Sequence, residues 1–130
     1  MKNLGFLYKS KERRLNKRHE VSWDAILEAR FPDSHGEIEV KVVVFSVGGA
    51  LLHSELFTVN NRHLFITGTK PELKLKISLP ERVLELRVEI AWYNVLNGKS
   101  IFETGVSFIN FKEEANISTD ELLKIIEAGE

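Results

Sequence analysis

The chain has 130 residues, of which 43% are hydrophobic and 28% charged, and its formal net charge is −1. This length supports one domain with a substantial core and hardly two, and the composition is that of an ordinary globular protein. Because the chain contains no cysteine, disulfides, thiolate metal sites and cysteine nucleophiles are excluded.

The N-terminal residues are basic and lack a sustained hydrophobic period. Residues 1–19 contain seven lysine and arginine side chains against one acidic side chain, whereas the rest of the chain contains 11 basic and 18 acidic ones. A basic segment on an acidic body suits a concentrated anion site better than the broad footprint of a nucleic acid. A solvated tail lying on an acidic barrel accounts for the same charges. We treat residues 1–11 as a basic arm that precedes the folded domain.

The sequence offers no segment that would place the chain in or across a membrane. No apolar run approaches the roughly 20 residues that are needed to span a bilayer. The stretch from Leu4 to Tyr8 is too short for the core of a signal peptide, and basic residues follow it instead of a small-residue cleavage site. We therefore expect a cytoplasmic protein without a membrane partner.

Alternating apolar residues predict an all-β domain. Apolar side chains occupy every second position from Val21 to Phe31, and the same alternation recurs over residues 38–44, 73–79 and 84–92. This pattern is typical of strands with one buried face. A last long strand is predicted over residues 100–111, with a bulge at Gly105. Five or six strands at short spacing indicate an antiparallel barrel or sandwich.

Two stretches between the strands carry turn signals. Residues 54–70 contain either two short strands around an Asn60-Asn61 turn or an insertion that covers one end of the barrel. Asn97-Gly98 predicts a tight turn before the last strand.

The C-terminal segment has the pattern of a capped helix. The sequence Ser118-Thr119-Asp120-Glu121 has the form of a capping box and predicts a short helix over residues 118–128. Leu122, Ile125 and Ile126 lie along one stripe of this helix, which would plug or flank the barrel.

Two short motifs bring arginine and glycine chemistry to one part of the chain. Arg14-Leu15-Asn16-Lys17-Arg18 is an RxxxR segment, and Ser46-Val47-Gly48-Gly49 is an SxxG turn at the end of a strand about thirty residues later. Arginine supplies a planar, permanently charged fork that suits phosphate oxygens and the O6/N7 edge of guanine. Glycine lets a backbone approach a ligand where a Cβ would collide.

An RxxxR segment ahead of an SxxG turn, inside an all-β pattern, resembles the PilZ family over residues 12–111. That family is a six-stranded β-barrel module that binds the bacterial second messenger cyclic di-GMP. The resemblance implies an all-β fold, with a six-stranded antiparallel barrel and a short C-terminal helix forming one domain over residues 12–130. It also implies a role in bacterial signal transduction, with cyclic di-GMP as the ligand and no further cofactor.

The family's binding pattern carries over to named positions of this chain. In the family, the two arginines of RxxxR wrap a guanine and the phosphates of cyclic di-GMP. The ligand-binding residues that the resemblance implies are Arg13, Arg14, Arg18, Ser46, Gly48 and Gly49, with Arg13 as an extra phosphate contact. The basic segment would order over the bound dinucleotide. No effector domain accompanies the barrel, so the signal would pass to an unidentified effector protein.

One position departs from the family's pattern. The second motif normally begins with Asp or Asn two residues before the serine, and here that residue is Val44. A carboxylate or amide there accepts hydrogen bonds from guanine, and valine does not. The loss of one such bond costs about 1–3 kcal/mol, roughly a factor of 5 to 150 in affinity. Val44 also continues the alternation of Ile38, Val40 and Val42, which predicts a core position unless the strand bulges; we favour a ligand-facing Val44.

The departure at Val44 leaves a second function open. A degenerate PilZ-like protein could use its surface for protein interaction and bind no nucleotide. A third reading is a small barrel that binds single-stranded nucleic acid through basic and aromatic residues, against which the acidic body argues. Trp23, Trp92 and Phe108 are residues of the kind that more often fill a barrel than stack on bases, although Trp92 fits either role.

Catalysis finds little support in the sequence. The four histidines, at positions 19, 35, 53 and 63, form no HxH or HxxxH pair, so no metal site is predicted. No nucleophile–base arrangement and no phosphate-cradling P-loop is visible. We therefore expect a binding protein that is not an enzyme.

Overall fold

The computed structural model describes residues 13–59, 62–64, 70–96 and 100–128. The strands are β1 (His19–Phe31), β2 (Ser34–Ser46), β3 (Gly49–Ser54), β4 (Thr58–Val59), β5 (Arg62–His63), β6 (Glu72–Ser78), β7 (Val83–Val95) and β8 (Phe102–Phe108), followed by helices Phe111–Ala115 and Thr119–Ala128. Residues 13–16 form a helical turn ahead of β1. The basic arm (residues 1–11) and the predicted turns at Asn60-Asn61 and Asn97-Gly98 lie outside the described residues. Within the described ranges, no helix has the length and apolar character needed to cross a bilayer.

Six of the strands close into one antiparallel barrel, in the order β1-β2-β3-β8-β7-β6. The 13-residue strand β1 pairs with β2 on one side and with β6 on the other. Its alternating side chains are buried from Val21 to Phe31, as the sequence pattern predicts. Closure gives each of the six strands a hydrogen-bonded neighbour on both sides. The prediction of a six-stranded antiparallel barrel is confirmed.

The hairpin formed by β4 and β5 covers the end of the barrel at the β1–β2 turn. Phe57, just before β4, is buried and stacks on Phe102 with 5.5 Å between ring centroids. Arg62 of β5 donates two hydrogen bonds to the Asp33 carboxylate, at 2.8 and 2.6 Å, and lies over the Phe31 ring. Both alternatives for residues 54–70 therefore hold in part: two short strands form, and they cover one barrel end.

The helix Thr119–Ala128 covers the opposite end. Its first turn is capped as predicted, because the Ser118 hydroxyl accepts a hydrogen bond from the Glu121 N–H at 3.1 Å. Leu122, Leu123 and Ile126 are buried in the barrel core. Arg82, in the β6–β7 turn, pairs with Glu121 at 3.0 Å and fastens the start of the helix to the barrel.

The last strand is shorter than the alternation predicts. β8 ends at Phe108, and the helix Phe111–Ala115 begins where a strand was expected. Phe111 packs on Phe45 and Phe108, with ring centroids 5.8 and 5.5 Å away. The carboxylate of Glu114 accepts hydrogen bonds from the backbone N–H and the side chain of Arg87. Tertiary contacts thus hold this segment as a helix, and the prediction of a strand to residue 111 is wrong.

A bulge in β2 changes which side chains face the core. Val42 pairs with Leu52 of β3, but Val44 pairs with Leu51, so that β2 carries one residue more than its partner. The phase of the strand shifts there. Phe45 is fully buried and lies 5.2 Å from the Trp23 ring, whereas Val44 is only half-buried. Val44 therefore does not continue the core series of Ile38, Val40 and Val42.

A second bulge lies in β7. Ile90 pairs with Val106 and Trp92 with Gly105, which leaves Ala91 as the extra residue. The predicted bulge thus lies opposite Gly105 and not at it. Beyond the bulge Tyr93 packs against Phe57, and Trp92 is 45% exposed. Of the two roles open to Trp92, filling the barrel does not apply, because the extra residue turns its side chain outward.

Candidate ligand-binding site

A cavity of about 320 Å³ opens on the outer face of the barrel, near the start of β1. Arg18, directly before β1, lines it together with Val44 and Ser46 of β2. Trp92 of β7 and Gly105 of β8 lie on the other side. This volume is near the lower end of the range of small-molecule sites, ~300–1,000 Å³.

The register of the strands explains why these residues share one face. Directly opposite residues of an antiparallel pair project to the same side of a sheet. One row runs from Val44 through Leu51 and Gly105 to Trp92, and the next runs from Ser46 through Gly49 to Ser107. The cavity therefore lies across β2, β3, β8 and β7, on the face away from the core.

The SxxG turn (Ser46–Gly49) is held by its own hydrogen bonds and by β8. The Ser46 hydroxyl accepts from the Gly48 N–H at 3.3 Å, and the Gly48 carbonyl accepts from the Phe108 N–H at 3.0 Å. At Gly49 an added Cβ would lie closer than 3.0 Å to the Val106 carbonyl oxygen. This position requires glycine because the backbones of β3 and β8 approach too closely there for any side chain.

The RxxxR segment (Arg14–Arg18) is docked onto the SxxG turn. Leu15 is buried against the core, and its carbonyl accepts a hydrogen bond from the Val47 N–H at 3.2 Å. The imidazole of His19 donates from Nε2 to the Arg14 carbonyl at 2.6 Å. The two motifs are therefore joined through the backbone, and Arg18 is brought to the rim of the cavity.

Arg14 points elsewhere. Its guanidinium donates to the Glu127 carboxylate in the C-terminal helix at 2.6 Å, and both side chains are about half exposed. Arg13 is exposed on the helical turn. Neither residue lines the cavity.

The structure brings together four of the six predicted site residues, namely Arg18, Ser46, Gly48 and Gly49. Val44 lies in the same cavity. The parity of the strand allowed either the core or the site for this residue, and its side chain lies on the cavity face.

The charge of the cavity is positive. Among the described residues that line it, Arg18 alone carries a charge, and no carboxylate or carboxamide is present. The remaining surface is made of small, hydroxyl or apolar groups, including the indole of Trp92. The Arg18 guanidinium can hold an anion here, beside the flat apolar ring of Trp92.

Leu51, Gly105 and Ser107 line the cavity without having been singled out as site residues. A glycine inside an alternating strand often marks a close approach of backbone or ligand, and Gly105 was interpreted as a bulge only. The residue that fills the space over it, Trp92, is 13 positions away in sequence and is placed there by the pairing of β7 with β8.

Comparison with known proteins points to one family. The sequence model of the PilZ domain matches residues 12–125. The backbone is similar to a solved structure described as the PilZ domain with c-di-GMP of YcgR from Escherichia coli, with a TM-score of 0.54 and 12% sequence identity over 87% of this chain and 88% of that chain. At this identity the similarity is one of fold. No curated protein matches the sequence.

Proposed function

Because the chain belongs to the PilZ domain family, we propose that it is a receptor for cyclic di-GMP that passes the signal to a partner protein. The observation that carries the proposal is the meeting of Arg18 with the SxxG turn at one open cavity. The two motifs lie far apart in sequence, and the hydrogen bond from Val47 to Leu15 joins them. Without this docking, the arginines would be part of a solvated tail.

The lining of the cavity suits a cyclic dinucleotide. The Arg18 guanidinium would donate to a phosphate oxygen or to the O6/N7 edge of a guanine. At Gly48 and Gly49 no side chain stands between the ligand and the backbone of the turn. The Ser46 hydroxyl, which now closes its own turn, would turn to a polar group of the ligand. These roles are those of a binding site, and the protein would not be an enzyme.

Arg14 and Arg13 would complete the phosphate contacts. Both precede Arg18 on the same docked segment, and Arg14 has to leave Glu127 before it can reach the ligand. This exchange couples occupancy of the site to the C-terminal helix. The surface that changes on binding would include the last turn of that helix, where a partner protein could recognise it.

Calorimetric titration of the pure protein with cyclic di-GMP tests the proposal. We expect saturable binding to cyclic di-GMP, with GTP and cyclic di-AMP titrated in parallel to measure selectivity. If cyclic di-GMP gives neither a binding heat in calorimetry nor a chemical-shift change in NMR spectra of the protein, the proposal is wrong. The second function, a protein-interaction module that binds no nucleotide, then remains. Val44 favours that alternative, since none of the described lining residues offers a carboxylate or carboxamide oxygen to the N1–H and N2–H2 groups of guanine.

Replacing Val44 by aspartate is expected to tighten the binding of cyclic di-GMP. Val44 is half-buried and lines the cavity, so a carboxylate there would remain in contact with water and accept hydrogen bonds from the guanine edge. We expect a gain of about 1 kcal/mol, roughly fivefold in affinity, measured by calorimetry. Val44→Asn is the matched variant that supplies an acceptor without a charge.

A melting temperature close to that of the wild type should accompany the gain. A large drop would mean that the carboxylate is buried without a partner. A folded Val44→Asp protein with unimproved affinity would speak for the interaction module.

Glu127→Gln is expected to strengthen binding by a few-fold. The exposed ion pair with Arg14 is worth about 0–1 kcal/mol, and the ligand would no longer have to break it, so the gain should reach at most about fivefold. Glu121→Gln is the control, because it breaks a pair of the same helix with Arg82, away from the RxxxR segment. Equal affinities of the two variants would show that Arg14 does not have to be released.

A further inference from the structure

His19 is the first residue of β1, and it is polar where that strand turns its apolar side chains inward. The inward row continues with Val21 and Trp23, and His19 is only 7% exposed. It pairs with Phe45, which is fully buried in the core. A polar side chain in such a position needs a hydrogen-bond partner, and the imidazole finds one in the Arg14 carbonyl.

The hydrogen bond from His19 ends the helical turn that carries the RxxxR segment. Within the turn, the Arg13 carbonyl accepts from the Lys17 N–H at 3.0 Å, as in a helix. In a longer helix the Arg14 carbonyl would accept next, from the N–H of Arg18. It accepts instead from Nε2 of His19, at 2.6 Å. The imidazole therefore caps the turn by satisfying a carbonyl that the helix leaves without an internal partner.

The place where the turn ends decides where Arg18 lies. Residues four apart share one face of a helix, so a turn prolonged through Arg18 would hold both arginines of the RxxxR segment beside Glu127. In the structure the two arginines diverge. Arg14 donates to Glu127, and Arg18, which lies outside the helical turn, lines the cavity.

Packing alone accounts for the burial of His19 and not for its polarity. An apolar side chain would continue the inward row of β1 without bringing a polar nitrogen into the core. The other backbone contact of the segment, from the Val47 N–H to the Leu15 carbonyl at 3.2 Å, holds it against the SxxG turn. That contact leaves the Arg14 carbonyl open to either donor, and His19 is the donor that it has.

We propose that His19 is a positioning residue of the ligand site, which directs Arg18 to the cavity by capping the helical turn before it. This inference rests on the proposed function. His19 is not among the described residues that line the cavity, so it acts through Arg18. The cap is in place without ligand, and a side chain that is positioned beforehand loses less entropy when the ligand binds.

The test compares His19→Phe with His19→Gln by calorimetric titration with cyclic di-GMP. Phenylalanine keeps a ring in the inward row and has no donor, whereas glutamine supplies an amide N–H in place of the imidazole N–H. We expect the phenylalanine variant to bind about fivefold or more weakly and the glutamine variant to bind nearly as the wild type does. His19→Leu also lacks the donor and takes the place of His19→Phe if the larger ring prevents folding.

Two further measurements separate positioning from packing. In the Arg18→Ala background, His19→Phe should weaken binding no further, because the side chain that the cap positions is gone. In the ligand-free His19→Phe protein, the Cα chemical shift of Arg18 should move towards helical values, because the Arg14 carbonyl then accepts from the Arg18 N–H.

The possible failures of this inference and of the proposed function differ. Equal affinity of His19→Phe and wild type, or an unchanged Arg18 chemical shift, overturns the inference and leaves the proposed function intact. An equal loss of affinity in the wild-type and Arg18→Ala backgrounds assigns His19 to packing and also overturns the inference alone. A wild-type protein that binds no cyclic di-GMP overturns both.

Discussion

Arg18→Ala is expected to weaken the binding of cyclic di-GMP by about 10- to 150-fold. Arg18 is the charged residue among the described lining of the cavity, and the loss of a charge-assisted hydrogen bond costs about 1.5–3 kcal/mol. The melting temperature should stay nearly unchanged, since the side chain is exposed and the core does not depend on it. Titration calorimetry and thermal unfolding measure the two quantities.

Lys17→Ala is the matched control for this change. It removes the same charge from the same segment, and Lys17 does not line the cavity. Its effect should be limited to a small loss that salt screens. Arg14→Ala should fall between the two, because Arg14 must first leave Glu127. If Arg18→Ala and Lys17→Ala weaken binding equally, the arginine acts only through net charge, and the assignment of the site to this cavity is wrong.

Gly49→Ala is expected to have the largest effect on stability. The new Cβ would collide with the Val106 carbonyl oxygen and crowd the backbone at Ser107, which pairs directly with Gly49. Backbone atoms cannot rotate out of the way as a side chain can, so β3 and β8 must move apart. Overpacking of this kind costs about 1–3 kcal/mol. We expect the upper part of that range, because β3 and β8 are neighbours in a closed barrel and cannot separate without disturbing the other strands.

The adjacent glycine supplies the control. A Cβ at Gly48 would meet only the Ser46 hydroxyl, at 3.9 Å, so Gly48→Ala should change the free energy of unfolding little. Urea denaturation of the two variants measures the difference. If Gly49→Ala unfolds at the same urea concentration as Gly48→Ala, then β3 and β8 are not held as closely as the structure has them.

The strands were predictable from the sequence where buried and exposed side chains alternate strictly. In β1 each second residue from Val21 to Phe31 meets the core, and alternation alone identifies such a strand. The phase shifts at Val44 and Trp92 were not predictable in the same way. A bulge depends on how many residues the partner strand offers between two hydrogen-bonded positions, and that partner is not known until the strands are paired.

The helix Phe111–Ala115 was missed for a related reason. Val106 and Phe108 are two positions apart, as on one face of a strand, and the helix that follows depends on contacts with β2 and β7 that local sequence does not contain. The C-terminal helix was found because its start is marked within four residues, from Ser118 to Glu121.

In the candidate site, too, the residues of short local motifs were predictable, and those placed by distant contacts were not. The two motifs identified Arg18 and the SxxG turn, since both are short stretches with a recognisable chemistry. The engagement of Arg14 with Glu127 joins residues 113 positions apart, and no pattern in the sequence relates them. Trp92 was open to two roles, and the pairing of β7 with β8 decides where its side chain lies.

The bulges in β2 and β7 affect which substitutions the protein can accumulate in evolution. They set the cavity-facing residues out of phase with the core, so that Val42 and Phe45 hold the barrel together while Val44 and Trp92 do not. Substitutions at such positions change stability little and need no compensating mutation before they can be retained. Ligand preference can therefore drift on this scaffold while the barrel persists, and a valine in place of an acidic residue is a change that the fold itself does not oppose.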